Sequence, residues 1–321
     1  MMKTSSFAGL FIWVAFVVTK LITTPIDTLQ YVMMLLMFAY LVLVPLTLHL
    51  VQQKKNSFYR YAANLQPIAA VLAGVSFFLE QGTLAVILAV PWLITTIFIA
   101  IFGVTKVLQT WKKSKIYDVL IQLGLMYISI GGMWLVLHRS GIQVLHFSDV
   151  IVLLTSIHFH YAAFVTPITM AFLGKYLLTY APSLKPWFTL LSYLVLLGPP
   201  FIAAGITFSE TLPVLEFISV IEFVTPLIVF AILSLVYLVP RLEFSVRMLL
   251  SISFMSLLFS MSSAMIYGFA HLNETVILGI PLMVFFHGFV NTFGFTLFGL
   301  LGVTVLQEEN TRPIKKNSIS L

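Results

Sequence analysis

Long apolar runs recur along the whole chain, and they constrain its fold more than any other feature. A transmembrane α-helix needs about 20 mostly apolar residues to cross roughly 30 Å of hydrocarbon, and several runs reach that length. Only 9% of the 321 residues are charged and 60% are hydrophobic, whereas a soluble domain carries about a quarter charged residues. Because the chain cannot cover its surface with charge, we expect one polytopic transmembrane domain over residues 1–321.

The apolar runs predict an all-α bundle of about ten spans. They are long and continuous, unlike the alternating stretches of about ten residues that form a membrane β-barrel. The spans that fit the pattern are roughly 7–23, 29–50, 62–80, 83–105, 116–137, 149–172, 187–208, 212–239, 246–270 and 276–305. Residues 306–321 then form a short basic tail.

The distribution of Lys and Arg predicts the orientation of the bundle. If the N-terminus lies inside, all of the 17 Lys and Arg residues except Lys20 and Arg139 fall on the inner side. Such a bias is typical of cytoplasmic loops, so an even number of spans with both termini in the cytoplasm is predicted. The net charge of +6 has the same origin, and it indicates contact with lipid rather than with nucleic acid. No protein partner is indicated.

Ionisable and broken elements recur at one depth of the predicted bundle. Ten residues of helix cover about 15 Å, which is close to the middle of a bilayer. Counted from the ends of their spans, five polar residues and one helix-breaking run lie at this depth: His158, His160, Glu222, His287, Asn291 and 198-GPP-200. An ionisable group at mid-bilayer costs at least about 2.5 kcal/mol, so it faces a bundle interior or a wet cavity. We therefore predict one shared polar site among spans six to ten.

Helical spacing extends this predicted site. A face of the ninth span recurs at intervals of three and four residues, and Pro199 with Pro200 should kink or unwind the seventh span. The predicted lining residues are Thr155, Tyr161, Pro199, Pro200, Ser256, Ser260, Ser263 and Tyr267.

The two histidines of 156-SIHFHYAAFVTP-167 cannot both face one point from a regular helix. Residues two apart point about 200° away from each other. Either Pro167 distorts the turn, or one histidine serves the site while the other bonds a neighbouring helix. We predict that His158 faces the site.

Two of these runs carry a family resemblance. The stretch 157-IHFHYAAF-164, followed two helices later by a mid-span Glu and then by 286-FHGFVNTFGF-295, resembles the YndJ-like family of bacterial membrane proteins. The resemblance covers essentially the whole chain, and some members carry an additional soluble region. It implies a multi-pass protein of the bacterial cytoplasmic membrane, and it implies no mechanism.

Three functional hypotheses follow from the predicted site. The first is transport of a small solute or ion with possible proton coupling, in which Glu222 holds the proton and His158 and His287 act as relays or ligands. The second is a metal or haem site, with or without catalysis, because His158, His160, His287 and Glu222 offer nitrogen and oxygen donors. The third is a structural role in which polar groups hydrogen-bond between helices. The absence of cysteine excludes disulfides, thiolate ligands and a cysteine nucleophile, and no catalytic motif is present, so an enzyme is the less favoured class.

Overall fold

A computed structural model describes residues 2–110, 113–270 and 275–311. Ten helices follow one another within these residues: α1 Met2–Thr23, α2 Thr28–Leu50, α3 Ser57–Ser76, α4 Thr83–Thr110, α5 Ile116–Ser140, α6 Asp149–Tyr180, α7 Lys185–Thr207, α8 Pro213–Tyr237, α9 Phe244–Ala270, and α10, which begins at Leu282 and ends at Thr311. Short 3-10 turns occur at Pro182–Leu184 and Val239–Arg241. Lys3 on α1 forms an ion pair with Glu308 on α10, so these two residues lie at the same end of the bundle.

The prediction of an all-α membrane bundle is confirmed. Nine helices within the described residues are long and apolar enough to cross a membrane. The helix that does not qualify is α3, which has 20 residues and carries Arg60, Asn64 and Gln66 in its first half. At 1.5 Å per residue, α3 still has a length of about 30 Å. Each predicted span therefore overlaps one helix, although α3 is less apolar than the others.

A small hairpin precedes α10. Strands β1 Val276–Ile277 and β2 Ile280–Pro281 pair antiparallel, with Val276 opposite Pro281 and Ile277 opposite Ile280. Leu278 and Gly279 between them have φ angles of 53° and 77°, and positive φ at both central residues is typical of two-residue hairpin turns. The helix therefore begins six residues later than the predicted start at 276. At its other end it continues to Thr311, and residues 312–321 of the predicted tail lie outside the described residues.

Helix α2 forms the centre of the bundle. Of its most apolar stretch, 94% is buried inside the protein, as expected for a helix that is hydrophobic on every side. Gln66 on α3 donates from Nε2 to the carbonyl oxygen of Tyr40 at 2.7 Å, and Trp13 on α1 donates from Nε1 to that of Met34 at 2.8 Å. Side chains from the surrounding helices thus bind backbone carbonyls of α2.

Tyrosine side chains link α2 to α6 and α10. Tyr161 on α6 donates its hydroxyl to the carbonyl of Leu35 at 2.8 Å, and Tyr31 on α2 donates to the carbonyl of Phe285 at 2.7 Å. Each of these three helices contains a π-helical segment, at Ala39–Leu43, Tyr161–Val165 and Val290–Leu297. Such segments are rare and often occur at functional sites. The three linked helices are therefore candidates for the helices that form such a site.

Lys20 and Arg139, the two cations that the sequence does not place on the inner side, are buried inside the protein. Lys20 donates from Nζ to the carbonyl of Phe77 at 2.7 Å, and Arg139 donates from Nη2 to that of Leu79 at 2.6 Å. Both side chains are buried, and both carbonyls lie just beyond the C-terminus of α3. Cations stabilise a helix C-terminus because its free carbonyls carry partial negative charge. Lys20 and Arg139 therefore cap α3, and each of these charges has a partner inside the bundle.

Helix α7 remains α-helical through Gly198-Pro199-Pro200, so the unwinding expected there does not occur. Pro200 has no N–H to donate to the carbonyl of Leu196, which a regular helix would require. The hydroxyl of Tyr127 on α5 donates to that carbonyl instead, at 2.8 Å. Neighbouring side chains often replace the missing backbone donor in membrane helices. The neighbouring glycine has a packing role, because a Cβ at Gly198 would lie 2.0 Å from Cδ2 of Phe223 on α8.

We expect Gly198→Ala to lower the free energy of unfolding by about 1–3 kcal/mol, the usual cost of overpacking. The added methyl would collide with the ring of Phe223 and force α7 and α8 apart. Thermal unfolding in mild detergent measures the effect. Leu197→Ala is the matched control, because Leu197 is 59% exposed and its loss should change stability little. Equal melting temperatures for Gly198→Ala and the unmodified protein would contradict the close contact between the two helices.

Candidate functional site

A cavity of about 1060 Å³ lies among α6, α7, α8, α9 and α10, with two residues of α2 in its wall. Most of the wall is apolar, including Phe217, Met261 and Met265. Its polar side chains are His158, Tyr161, Thr166, Glu216, Ser219, His287, Asn291, Thr292 and Thr296. A largely apolar cavity with a few polar groups is the usual form of a small-molecule site, so this cavity is the candidate functional site.

His158 projects into this cavity from the first half of α6. Its side chain is exposed although the residue lies deep in the bundle, because the cavity surrounds it. Nδ1 lies 2.7 Å from the carbonyl oxygen of Leu154. Since a carbonyl only accepts, Nδ1 carries the proton in the neutral ring, and Nε2 keeps a free lone pair.

His287 on α10 faces the same cavity. Its Nδ1 lies 3.0 Å from Oγ of Ser260 on α9, and either atom can donate. Asn291, one turn later on α10, also lines the cavity, and its buried Oδ1 has no hydrogen-bond partner among the described residues. The structure thus brings together three of the predicted polar residues, His158, His287 and Asn291.

His160 lies outside the cavity wall in a separate group. It is completely buried, and its Nδ1 is 2.8 Å from the carbonyl of Ser156. Its Nε2 accepts a hydrogen bond from Nε1 of Trp92 on α4 at 3.0 Å. Both ring nitrogens are therefore engaged in the neutral form, and a second ring proton would face the Trp92 donor. This is the arrangement of a structural histidine that joins α6 to α4.

Glu222 is also absent from the wall of the cavity. It shares a helical face of α8 with Ile218, four residues earlier, and Thr225, three residues later, and both are exposed, so this face points outward. One of its oxygens, Oε2, is buried and has no hydrogen-bond partner within the described residues. The acid in the wall is Glu216 instead, six residues earlier. Six residues turn a helix by about 600°, so Glu216 and Glu222 occupy different faces.

The predicted serine face of α9 packs mainly against α10. Ser253 donates to the carbonyl of Phe295 at 2.8 Å, and Ser260 contacts His287. A Cβ at Gly294 would lie 2.3 Å from Oγ of Ser256, so this serine marks a close helix approach. Ser263 turns back to the carbonyl of Phe259 at 2.8 Å, and the side chain of Tyr267 lies outside the described part of the chain. Small and hydroxylated residues are typical of such packed membrane interfaces.

The remaining predicted lining residues differ in their surroundings. Tyr161 is in the cavity wall, although its hydroxyl is directed to Leu35. Thr155 bonds the carbonyl of Ile151 at 2.9 Å and is not in the wall. Pro199 is buried and Pro200 is exposed, and neither contributes to the wall.

The donor set of the metal hypothesis is not assembled in the described residues. No group of three or more His, Asp or Glu side chains there is arranged to hold a metal ion. His158 and His287 share the cavity, whereas His160 and Glu222 face elsewhere. The cavity thus offers two imidazoles, one amide and the carboxylate of Glu216, all set in an apolar wall.

The two histidines should respond oppositely to replacement. We expect His160→Phe to lower the free energy of unfolding by about 1–3 kcal/mol, because the buried N–H of Trp92 loses its acceptor. His158→Phe should leave stability nearly unchanged, since His158 faces open space. Thermal unfolding of the two variants, prepared side by side, measures the difference. A His158 variant as unstable as the His160 variant would show that His158 also holds the bundle together.

Comparison with known proteins identifies the family. The family model described as YndJ-like protein matches residues 34–295. A curated relative, the uncharacterized membrane protein YndJ of Bacillus subtilis (strain 168), is 32% identical over 253 residues. The aligned segment covers 79% of this chain and 43% of the relative, so more than half of the relative lies outside the match. No solved structure matches the chain. Because the family model covers most of the chain, including nearly all of the cavity wall, this chain belongs to the YndJ-like family of membrane proteins.

Proposed function

We propose that this protein is a carrier that moves a small solute across the bacterial cytoplasmic membrane through the cavity between α6 and α10. The supporting observation is the cavity itself, which has a volume of about 1060 Å³ and extends into the middle of the bundle. A purely structural bundle has no need of such a space, because membrane helices associate through close packing.

The cavity reaches the surface at one end of the bundle. Its wall includes Pro213, Val214 and Glu216 from the first turn of α8. Val214 is 67% exposed, so this part of the wall lies at the surface of the described residues. In the proposed carrier, the solute enters the cavity from the end at which α8 and α10 begin.

The opposite end is closed by a cluster of three phenylalanines. Beyond the cavity residues Leu227 and Leu257, Phe230 on α8 packs against Phe188 on α7 and Phe254 on α9. The ring centroids are 6.1 Å and 5.9 Å apart, and all three rings are buried. Access from one side only is what one state of an alternating-access carrier requires, and this cluster would have to separate in the other state.

The groups that would carry a coupled proton are His158 and His287. Imidazole is the side chain whose charge most readily changes near neutral pH, and both rings lie in the cavity wall. Glu222, the predicted proton site, faces outward on α8, so Glu216 is the better-placed carboxylate for that role.

Single-cysteine labelling tests the carrier proposal, since the chain has no native cysteine. We expect Met261→Cys, in the cavity wall, to react with a membrane-impermeant maleimide from both sides of the membrane. The reason is that an alternating cavity faces each side in turn. The measurement compares right-side-out with inverted vesicles.

The control is Ala69→Cys, which is completely buried in α3 away from the cavity and should stay unlabelled. Labelling of Met261→Cys from one side alone would contradict the carrier and indicate a binding protein whose cavity opens permanently to that side. Protection from both sides would refute a functional cavity.

A second labelling pair tests the proposed orientation, in which both termini and the loop before α3 lie inside. Lys55 in that loop and Glu210 in the α7–α8 loop are both exposed. We expect Glu210→Cys to be labelled on intact cells and Lys55→Cys only after permeabilisation, because positively charged loops remain in the cytoplasm. The reverse labelling pattern would show that the bundle has the opposite orientation, with the opening of the cavity on the cytoplasmic side.

A further inference from the structure

The polar end of the cavity contains a hydrogen-bond acceptor on His158 that is free to meet a ligand. The carbonyl of Leu154, 2.7 Å from Nδ1 of His158, fixes the tautomer of that ring, so its Nε2 accepts in the neutral state. Within the described residues, Nε2 of His158 has no hydrogen-bond partner. Its lone pair is therefore available to a molecule in the cavity.

Asn291 also lines the cavity. Its Oδ1 is buried and unpartnered within the described residues, so rotation of the amide to present this oxygen to a donating ligand would break no hydrogen bond of Oδ1. A ligand that donates to this oxygen would give it the partner that it lacks. His287 is adaptable, because its contact with Ser260 permits either tautomer and leaves Nε2 as donor or acceptor.

With both imidazoles neutral, the charges of the wall disfavour anions. The wall contains the carboxylate of Glu216 and no Lys or Arg among the described residues. A carboxylate or phosphate ligand would meet acceptors and a like charge in a medium of low dielectric constant, where an unpaired charge is costly. The rest of the wall is apolar and includes Met261, Met265 and Met283, and flexible Met side chains accommodate varied apolar shapes.

We infer that the ligand is a largely apolar molecule whose polar end donates hydrogen bonds and carries no negative charge, such as an alcohol, a phenol or an amine. This inference rests on the proposed function of the cavity. The polar end lies against Nε2 of His158 and Oδ1 of Asn291, and the apolar body occupies the space towards α8 and α9.

Four compounds with one aromatic body test the inference. They are 2-naphthol, a neutral donor; 2-(aminomethyl)naphthalene, a cationic donor; 2-methoxynaphthalene, which has no donor; and 2-naphthoate, an anion. Equilibrium binding to nanodiscs that contain the protein is measured, and binding to empty nanodiscs is subtracted. We expect one or both donors to bind about tenfold more tightly than the methoxy compound and the anion, the effect of roughly one hydrogen bond to a buried acceptor. The preferred donor shows whether the head is a hydroxyl or an ammonium group.

Variants assign the preference to the named atoms. His158→Phe and Asn291→Val each remove an acceptor, and each should bring the affinities for the preferred donor and for methoxynaphthalene to within about threefold. The control is His146→Asn, because His146 is exposed in a loop at φ 59°, a conformation that Asn tolerates. This variant should keep the full preference.

Two outcomes would overturn the inference. Binding of 2-naphthoate or 2-methoxynaphthalene within twofold of the better donor would show that the head group is not selected as described. Failure of all four compounds to bind would reject the ligand class, while two-sided labelling of Met261→Cys would still support the carrier. Loss of that labelling together with loss of binding would reject the carrier as well.

Discussion

Side-chain donors bound to backbone carbonyls of other helices are the interaction on which this bundle depends. Lipid offers no hydrogen bonds, so a carbonyl released by a proline must find a donor inside the protein. Tyr127 supplies one beside Pro200, and Tyr31 and Tyr161 donate to carbonyls that lie near two of the π-helical segments. These bonds join α6 to α2 and α2 to α10, and they fix the two helices that bring His158 and His287 to the cavity. Because these carbonyls are hydrogen-bonded, irregular helical segments are tolerated inside the bundle.

The sequence predicts the helices and the level of the site well, because both depend on distance along the helix axis. Apolar length gives the spans, and residue counting gives the depth at which His158, His287 and Asn291 meet in the cavity wall. The family resemblance is likewise confirmed by the match over residues 34–295. Direction around the axis is harder to predict. A low hydrophobic contrast between the faces of α8 gives little signal for turning Glu222 outward and Glu216 inward, although their separation of six residues already shows that they cannot share a face.

Partners that are distant in sequence are the other feature that a single sequence does not reveal. His160 and Trp92 are 68 residues apart and form one buried pair, and nothing in either helix alone indicates the contact. The two histidines of the HxH run therefore differ in their hydrogen bonds. One histidine of the HxH run has both nitrogens engaged and joins two helices, while the other keeps a lone pair for the cavity. The structural hypothesis thus suits His160, and the proposed ligand-binding role is left to His158.

The hydrogen bond from Tyr31 to Phe285 has a consequence for biogenesis. It joins residues separated by 254 positions, so the central helix leaves the translocon long before its last neighbour is synthesised. At a translation rate of about 5–20 residues per second, that delay is roughly 10–50 s. During this interval the hydroxyl of Tyr31 lacks the carbonyl of Phe285 as its acceptor. The packing of the central helix is therefore complete only after α10 has been synthesised.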